Sequence, residues 1–392
     1  VFGHFGLDLV GVNGGAVRIE SIRIEDATLE LALRRLRSEV AVFASRAAAI
    51  AAVIPASAQS IGVVHDGELL RYIRKPASMA STNCPLITAG AQAWVPAADA
   101  TLRHWGAVGD CVPAMWTGTD NRAAFQAMLA WAASNDVRIV RINRGHFLVE
   151  KTAGTGVVIR YSSESLEIIG EGMWASNIYY KDLAVSATSK PMISKLTTST
   201  KKHVRLDGFS VTSDWGVGGN WGEGSQAISL SGGGGDVYAH QVRFETIGSM
   251  CLVCPNSDAV NVTGCLFRVS QRDAIHATGT KNVLVSGNRF KSIGDDSISL
   301  ATVETSGQIS EKVIVTENHF EDSQGIYVVS TQLTHVSKNI LERPTVRGIQ
   351  AGRASGVWAA SSIPSRFGLV IEGNIVMNVF KRARFGGTGA DY

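Results

Sequence analysis

The sequence predicts an all-β fold, a right-handed parallel β-helix formed as a single-stranded solenoid, preceded by a helical stalk and a small β-rich neck. The main observation is a repeat between residues 237 and 352. The segments VYAHQVRF, VNVTGCLF, VLVSGNRF and VIVTENHF align on their final Phe, at spacings of 23, 23 and 30 residues. Short β-branched runs at such a period form strands that bury their apolar face only when successive turns stack. The composition agrees, because 41 Gly and 9 Pro suit many strands joined by tight turns.

The repeat places equivalent side chains on successive rungs of the solenoid. The aromatic column contains Phe244, Phe267, Phe290 and Phe320. The column two positions earlier contains Val242, Cys265, Asn288 and Asn318, and continues through Asn339 and Asn374. We expect these asparagines at turns, because Asn tolerates left-handed backbone angles and its amide can hydrogen-bond to the next rung.

The N-terminal segment, residues 1–57, has a different pattern. Apolar residues alternate at steps of four and three until Pro55, and the series is Leu29, Leu33, Leu36, Val40, Phe43, Ala47, Ile50 and Ile54. This spacing predicts a coiled-coil-like helix over residues 27–54, and the charged residues off the seam exclude a membrane span. The helix could pack on its own domain, or it could join several chains as a homotrimer. Residues 58–100 read as short strands and turns, the β-rich neck.

Charge and cysteine content exclude several classes of function. A formal net charge of +3 is too small to indicate a nucleic-acid partner. The five cysteines are Cys84, Cys111, Cys251, Cys254 and Cys265. They offer no four-ligand zinc pattern, so we expect structural cysteines, no metal and no cofactor. Pairing of Cys84 with Cys111 is left open.

The segment 104–149 begins the third region, residues 101–392. The segment contains Gly106, Ala107, Val108, Gly109 and Asp110, followed by an Asp120-Asn121 pair and the helical run RAAFQAML. This pattern resembles the start of the pectate-lyase-like β-helix superfamily, although Cys111 replaces a Gly and PAMWTG lengthens the loop. The resemblance covers residues 101–385 and implies a helix that caps the solenoid. It does not imply a substrate, because this fold carries many sugar chemistries.

Stalk, neck and capped β-helix together resemble phage tailspikes and related tail appendages. Such proteins bind, and often cleave, bacterial surface polysaccharide. The resemblance implies a virion location at the tail or neck, attachment to other virion proteins through the N-terminal segment, and no insertion into membranes.

The register of the repeat also brings carboxylates together. Asp273 and Asp296 are 23 residues apart, as Phe267 and Phe290 are, so they share a column on adjacent rungs about 4.8 Å apart. Asp295 adds a third carboxylate. Neighbouring carboxylates favour the protonated form of one member by like-charge repulsion, which suits acid–base chemistry on glycosidic bonds.

The motifs RDAIHA and GDDSISL resemble the polygalacturonase family of glycoside hydrolases, which implies Asp273, Asp295 and Asp296 as catalytic residues. The column continues to Gln324, where that family has a histidine, and then to Arg347. Because the family's Arg and Lys positions are also changed, a galacturonate substrate is in doubt. His276 could take the histidine's place or be structural. Aspartates also favour solenoid turns that have no catalytic role.

A second candidate surface is the loop SDWGVGGNWGEGSQ. Trp215 and Trp221 could stack on sugar rings, and Asp214 and Glu223 could bind hydroxyl groups or take part in the acid–base chemistry. The tryptophans could equally pack on a neighbouring rung or subunit.

Three functions therefore stay open from the sequence. The first is a tailspike-like depolymerase that hydrolyses polysaccharide with the three aspartates. The second is a non-enzymatic virion appendage that builds structure or binds a receptor. The third is a polysaccharide lyase or epimerase, which needs a base and a partner for a uronate, and for which the candidates are Arg272, His276, Tyr327 and Arg347.

Overall fold

The chain is built mainly from short strands. The computed structural model describes residues 7–11, 16–22, 40–76, 81, 83–151, 159–161, 165–182, 191–195, 203–214, 226–230, 235–301, 310–329, 331–345, 348–352 and 368–378. These residues form four β-sheets, helices α1 (Arg46–Ala51) and α2 (Arg122–Ser134), and a 3-10 helix at Leu102–Trp105.

The N-terminal sheet comes first in the chain. Its described strands are β1 (Leu7–Gly11), β2 (Ala16–Ile22), β3 (Val40–Phe43), β4 (Ser60–His65), β5 (Glu68–Lys75), β6 (Leu86–Ile87) and β7 (Ala93–Pro96). They lie in the order β1-β2-β3-β4-β5-β7-β6, and neighbouring strands are antiparallel except for β3 and β4. Ile61, Tyr72 and Trp94 are fully buried between this sheet and α1.

The continuous helix predicted over residues 27–54 is wrong where the structure describes it. Residues 40–43 form strand β3, and α1 has only six residues. The physical reason is packing, because Phe43 and Ala49 join the apolar core of the N-terminal sheet. The heptad-like spacing in this part therefore fits a strand followed by a short helix, and residues 23–39 lie outside the described residues.

The rest of the described chain winds through three parallel sheets. Sheet I contains β8 (Ala100–Thr101), β9 (Ile139–Ile142), β12 (Ser165–Gly170), β15 (His203–Asp207), β18 (Asp236–His240), β21 (Ala259–Thr263), β24 (Asn282–Ser286), β27 (Val313–Thr316), β30 (Thr334–Ser337) and β33 (Leu369–Glu372). Sheet II contains β10 (Gly145–Lys151), β13 (Ser176–Asp182), β16 (Ser210–Ser213), β19 (Arg243–Ile247), β22 (Leu266–Ser270), β25 (Arg289–Ile293), β28 (His319–Glu321), β31 (Ile340–Glu342) and β34 (Ile375–Met377). Sheet III contains β11 (Ile159–Tyr161), β14 (Ile193–Lys195), β17 (Ile228–Ser229), β20 (Leu252–Val253), β23 (Ile275–His276), β26 (Asp296–Ala301), β29 (Gln324–Val329) and β32 (Ile349–Gly352).

Each rung contributes one strand to each sheet in turn, and each strand pairs in parallel with its equivalent on the next rung. The right-handed parallel β-helix predicted from the repeat is confirmed. Its interior is one continuous apolar core that runs from the first rung beneath α2 to Leu341 on β31.

Two ladders of side chains hold the rungs in register. Phe244, Phe267, Phe290 and Phe320 stack with ring centroids 4.7–5.1 Å apart and ring planes within 7° of parallel. The asparagine amides form a second ladder, in which the Asn288 amide donates to Asn318 Oδ1 at 3.0 Å. Both predicted columns are therefore present, and each couples a rung to the next.

The expectation that the asparagines take left-handed angles is wrong. The residue before each asparagine does so, with φ between 54° and 65° at Gly287, Glu317, Lys338 and Gly373. The asparagine is thereby free to point its amide along the axis, where it bonds to the backbone of the rung behind and the side chain of the rung ahead.

The first rung is covered by α2. Phe125, Met128 and Leu129 of this helix belong to the same core as the rungs. Just before the helix, Asn121 accepts a hydrogen bond from Val108 N at 2.8 Å and donates to Leu148 O at 3.1 Å. The motif that resembles the superfamily therefore has a structural role. It holds the segment that follows the N-terminal sheet against the first rung of the solenoid.

All five cysteines are buried and free, so Cys84 and Cys111 do not pair. Burial raises the pKa of the Cys254 and Cys265 thiols to about 12. In the described part of the chain, helices are too short or too polar to cross a bilayer.

Candidate functional site

The three predicted catalytic aspartates lie where sheet II passes into sheet III. Asp273 comes just before β23, and Asp295 and Asp296 lie at the start of β26. The turn before them is closely packed: a Cβ on Gly294 would lie 2.4 Å from the carbonyl oxygen of Gln271 on the preceding rung. Only glycine fits there, so the backbone of one rung sets the position of the carboxylates on the next.

The predicted register is confirmed. Ile275 pairs with Ile298, which places Asp273 opposite Asp296, and Asp296 in turn pairs with Gln324. Backbone hydrogen bonds follow the same register, since Ala274 N donates to Asp296 O at 3.1 Å.

The carboxylates converge in space. One oxygen from each of Asp273, Asp295 and Asp296 lies within 4.8 Å of the other two. The register does not place Asp273 and Asp296 in solvent, since they are only 5% and 7% exposed. They lie at the strand start, against the neighbouring rung, whereas the side chain of Asp295 is 37% exposed. The cluster therefore has two enclosed members and one that faces solvent.

Two basic side chains border the cluster. His276 Nδ1 lies 2.8 Å from Asp273 Oδ2, and the histidine side chain is 27% exposed. Arg272 Nη2 lies 3.9 Å from Asp295 Oδ2. The contact with Asp273 through Nδ1 leaves Nε2 as the ring nitrogen available to a ligand, an arrangement that orients histidine bases in enzymes.

A polar column runs beside the aspartates on the outer face of sheet III. His276 pairs with Ser299, Ser299 with Tyr327, and Tyr327 with Gln350. Sequence reasoning considered His276 and Tyr327 and missed Ser299. The signal was present, because Ser299 follows His276 by the same 23 residues that separate the aspartates.

The other residues predicted to bind substrate do not join the aspartate cluster as ligands exposed to solvent. Gln324 is nearly buried, and its Nε2 donates to Gly294 O at 3.1 Å, so it supports the aspartate turn. Asp214 is buried at the end of β16. Four predicted residues lie outside the described residues, and these are Trp215, Trp221, Glu223 and Arg347.

The cluster also has the composition of a site for a hard cation. Carboxylate oxygens are the ligands that Ca²⁺ and Mg²⁺ prefer, and the three aspartates offer them at close range. The absence of a metal requirement therefore stays a prediction from the sequence. The CLVC motif behaves differently, because burial raises the pKa of the Cys251 thiol and disfavours the thiolate that binds metals.

Residues 224–387 match the family described as the right-handed beta helix region. The structure is similar to the catalytic unit of a GH87 alpha-1,3-glucanase from Streptomyces thermodiastaticus, with 16% identity and a TM-score of 0.47 over 72% of this chain and 47% of that one. It is also similar to Pantoea stewartii WceF, a glycan biofilm modifying enzyme with a tailspike-like fold, with 14% identity and a TM-score of 0.49 over 90% and 54% of the two chains.

A third similar structure is the enzymatically active domain of bacteriophage CBA120 tailspike protein 2, with 12% identity and a TM-score of 0.48 over 90% of this chain and 59% of that one. The chain spans about half the length of the first two structures. No curated protein sequence matches it.

Proposed function

We propose that this chain is part of a phage tailspike-like appendage that binds bacterial surface polysaccharide and hydrolyses it with Asp273, Asp295 and Asp296. The observation that carries the proposal is the convergence of the three carboxylates within 4.8 Å, with Asp295 facing solvent. Hydrolysis of a glycosidic bond needs two carboxyl groups that flank it, one as proton donor and one as nucleophile or base.

The exposures suggest how the roles divide. Asp295 faces solvent, and Arg272 lies beside it, so its carboxylate is the group best placed to attack the sugar or activate a water. Asp296 is enclosed next to it and would donate the proton to the leaving oxygen. Retaining enzymes hold their two carboxyl groups roughly 5 Å apart and inverting enzymes roughly 6.5–9.5 Å apart, so the anomeric configuration of the product distinguishes the two mechanisms.

The polar column beside the cluster supports the binding part of the proposal. His276, Tyr327 and Gln350 place hydrogen-bonding side chains on three of four successive rungs, which span about 14 Å of the axis, and the nearly buried Ser299 lies between His276 and Tyr327. A polysaccharide lying along this face would cross the aspartates. Parallel strands hold the groups in place, which favours catalysis because little reorganisation is needed on binding.

The test is incubation of the protein with surface polysaccharide from candidate host bacteria, followed by measurement of new reducing ends and of product anomers by NMR. Asp296→Asn keeps the size of the side chain but cannot transfer the proton, so activity should fall on the order of 10²–10⁴-fold. Asp99→Asn is the control, because Asp99 is an exposed partner of Arg141 in the first rung. Full activity in Asp296→Asn would refute the assignment.

One observation favours a second candidate, a polysaccharide lyase or epimerase. The 2.8 Å contact between Asp273 and His276 orients a base towards the outer face. A lyase would leave a carbon–carbon double bond in the product, which ultraviolet absorbance detects, whereas a hydrolase would not. His276→Gln should abolish lyase or epimerase activity and have a smaller effect on hydrolysis.

The proposal includes a homotrimer attached to the virion through the N-terminal segment. Its support in sequence is now limited to the part of the apolar series before residue 40, which lies outside the described residues. Light scattering at micromolar concentration tests it, and a monomer would remove this part of the proposal.

A further inference from the structure

A groove on the outer face of sheet II has a composition that the aspartate site does not explain. It has a volume of about 280 Å³. Its lining includes two apolar residues, Trp174 and Leu266, and four charged ones, Arg268, Arg289, Lys291 and Glu321. The strands beneath it are β22, β25 and β28, which pair in parallel and present alternate residues outward.

Trp174 forms the apolar wall. Its side chain is 64% exposed, which is unusual for so large an apolar residue. The guanidinium carbon of Arg243 lies 4.2 Å from the ring centroid, so a cation supports the indole. Leu266, half-buried, adds apolar surface in the floor. A flat, supported indole beside such a floor suits the CH face of a pyranose ring.

The charges on the groove are predominantly positive. Arg268 pairs with Glu245 at 3.1 Å, and Lys291 pairs with Glu321 at 2.9 Å. Arg289 is exposed and forms no ion pair with another residue that the structure describes. An anion in the groove would therefore meet a guanidinium whose charge is not already matched, and guanidinium binds carboxylate with two parallel hydrogen bonds.

The two arginines nearest the indole are already matched. Glu245 forms an ion pair with Arg243 and another with Arg268, so Arg289 is the cation of the groove that a bound carboxylate would match. The strands β22 to β28 advance about 10 Å along the solenoid axis, which gives room for a short run of sugar residues.

We propose that this groove is a second saccharide site, which binds acidic sugars without cleaving them, with Trp174 as the stacking platform and Arg289 as the carboxylate anchor. The inference goes beyond the proposed hydrolysis, because binding here needs none of the aspartates. A site of this kind would hold an acidic polysaccharide along the solenoid while another stretch of it reaches sheet III.

The test uses trimers of galacturonic acid and of mannuronic acid, with maltotriose as the neutral control, titrated calorimetrically into the full chain carrying Asp296→Asn. We expect at least one acidic trimer to bind with a Kd of about 1 mM or tighter, and maltotriose to bind at least tenfold more weakly. Arg289→Gln should weaken the acidic trimer about tenfold or more, the loss expected of a charge-assisted hydrogen bond, and should leave maltotriose unchanged. Trp174→Ala should weaken both kinds of trimer.

The matched control is Arg71→Gln, which removes an exposed arginine from the N-terminal sheet and should change nothing. Three outcomes would overturn the proposal: no binding of either acidic trimer at about 10 mM, binding that Arg289→Gln leaves intact, or self-association of the chain that Arg289→Gln abolishes. Self-association that depends on Arg289 would mean that the groove is an interface between two molecules of this chain. Loss of hydrolysis in Asp296→Asn with groove binding intact separates this proposal from the proposed function.

Discussion

Gly294→Ala tests whether the packing between rungs sets the geometry of the aspartate cluster. The added Cβ would lie 2.4 Å from Gln271 O and 3.0 Å from Ser270 O. The first contact must open to at least 3.0 Å, a movement of about 0.6 Å, and both obstacles are backbone atoms that flexible side-chain motion cannot clear. Gly294 directly precedes Asp295, so the displacement passes into the site.

The expected loss of activity follows from that movement. A misplacement on the order of 1 Å in a catalytic group costs roughly 10²-fold in rate, and a shift of about half that size should cost about tenfold or more. Strain of this kind in a packed interior should also destabilise the fold by about 1–3 kcal/mol. The backbone at Gly294 is also held from the following rung, because Gln324 Nε2 donates a hydrogen bond to Gly294 O.

The assay is the proposed release of reducing ends from host surface polysaccharide, measured at a temperature well below the thermal unfolding of both proteins. Gly90→Ala is the control, because a Cβ there meets nothing nearer than 3.8 Å. Full turnover in Gly294→Ala, with normal stability, would refute the claim that the preceding rung positions the carboxylates. A loss of stability with unchanged turnover per folded molecule would refute the link between the turn and the site.

Two further predictions concern the scaffold. Asn318→Ala should destabilise the fold by about 3 kcal/mol or more, because it leaves buried Val285 O and Asn288 N without the partners that lie 2.9 and 3.0 Å away. Urea unfolding would measure this, and Asn282→Ala on the exposed face of sheet I should cost far less. Burial lowers the pKa of His104 to about 4, below its ordinary 6.5, so the unfolded chain binds the extra proton first. Above about pH 6.5 His104 is neutral in both states, so it does not affect the free energy of unfolding. As the pH falls from 6.5 towards 4, the unfolded chain takes up a proton that the folded chain does not, and the free energy of unfolding falls by at most about 3 kcal/mol. His104→Gln should remove that part of the pH dependence, and an unchanged pH profile would contradict it.

The sequence by itself determined the fold class and the register of the repeat. Stacked rungs require equivalent residues at equal spacing, so the Phe267 to Phe290 interval already specified which residues lie opposite each other. The same interval located Asp273 opposite Asp296 and could have located Ser299 beside His276. Periodicity carries this information because the rungs are copies, and each contacts only its neighbours.

Other features depended on contacts that periodicity does not encode. Apolar spacing of three and four predicted a helix through Phe43, but the spacing records only which residues are buried. Packing against the N-terminal sheet made residues 40–43 a strand. Exposure was also undetermined, because a column assignment does not state how deeply a side chain lies, and Asp273 and Asp296 are nearly enclosed.

The groove on sheet II is the feature that the sequence predicts least, because its residues come from distant parts of the chain. Trp174 belongs to the turn before β13, whereas Arg289 is in β25, more than a hundred residues later. No local pattern joins them. Winding of the chain brings residues from distant rungs onto one face, and the length of the indole side chain lets it reach across them, so only the tertiary structure placed an aromatic platform beside an unmatched cation.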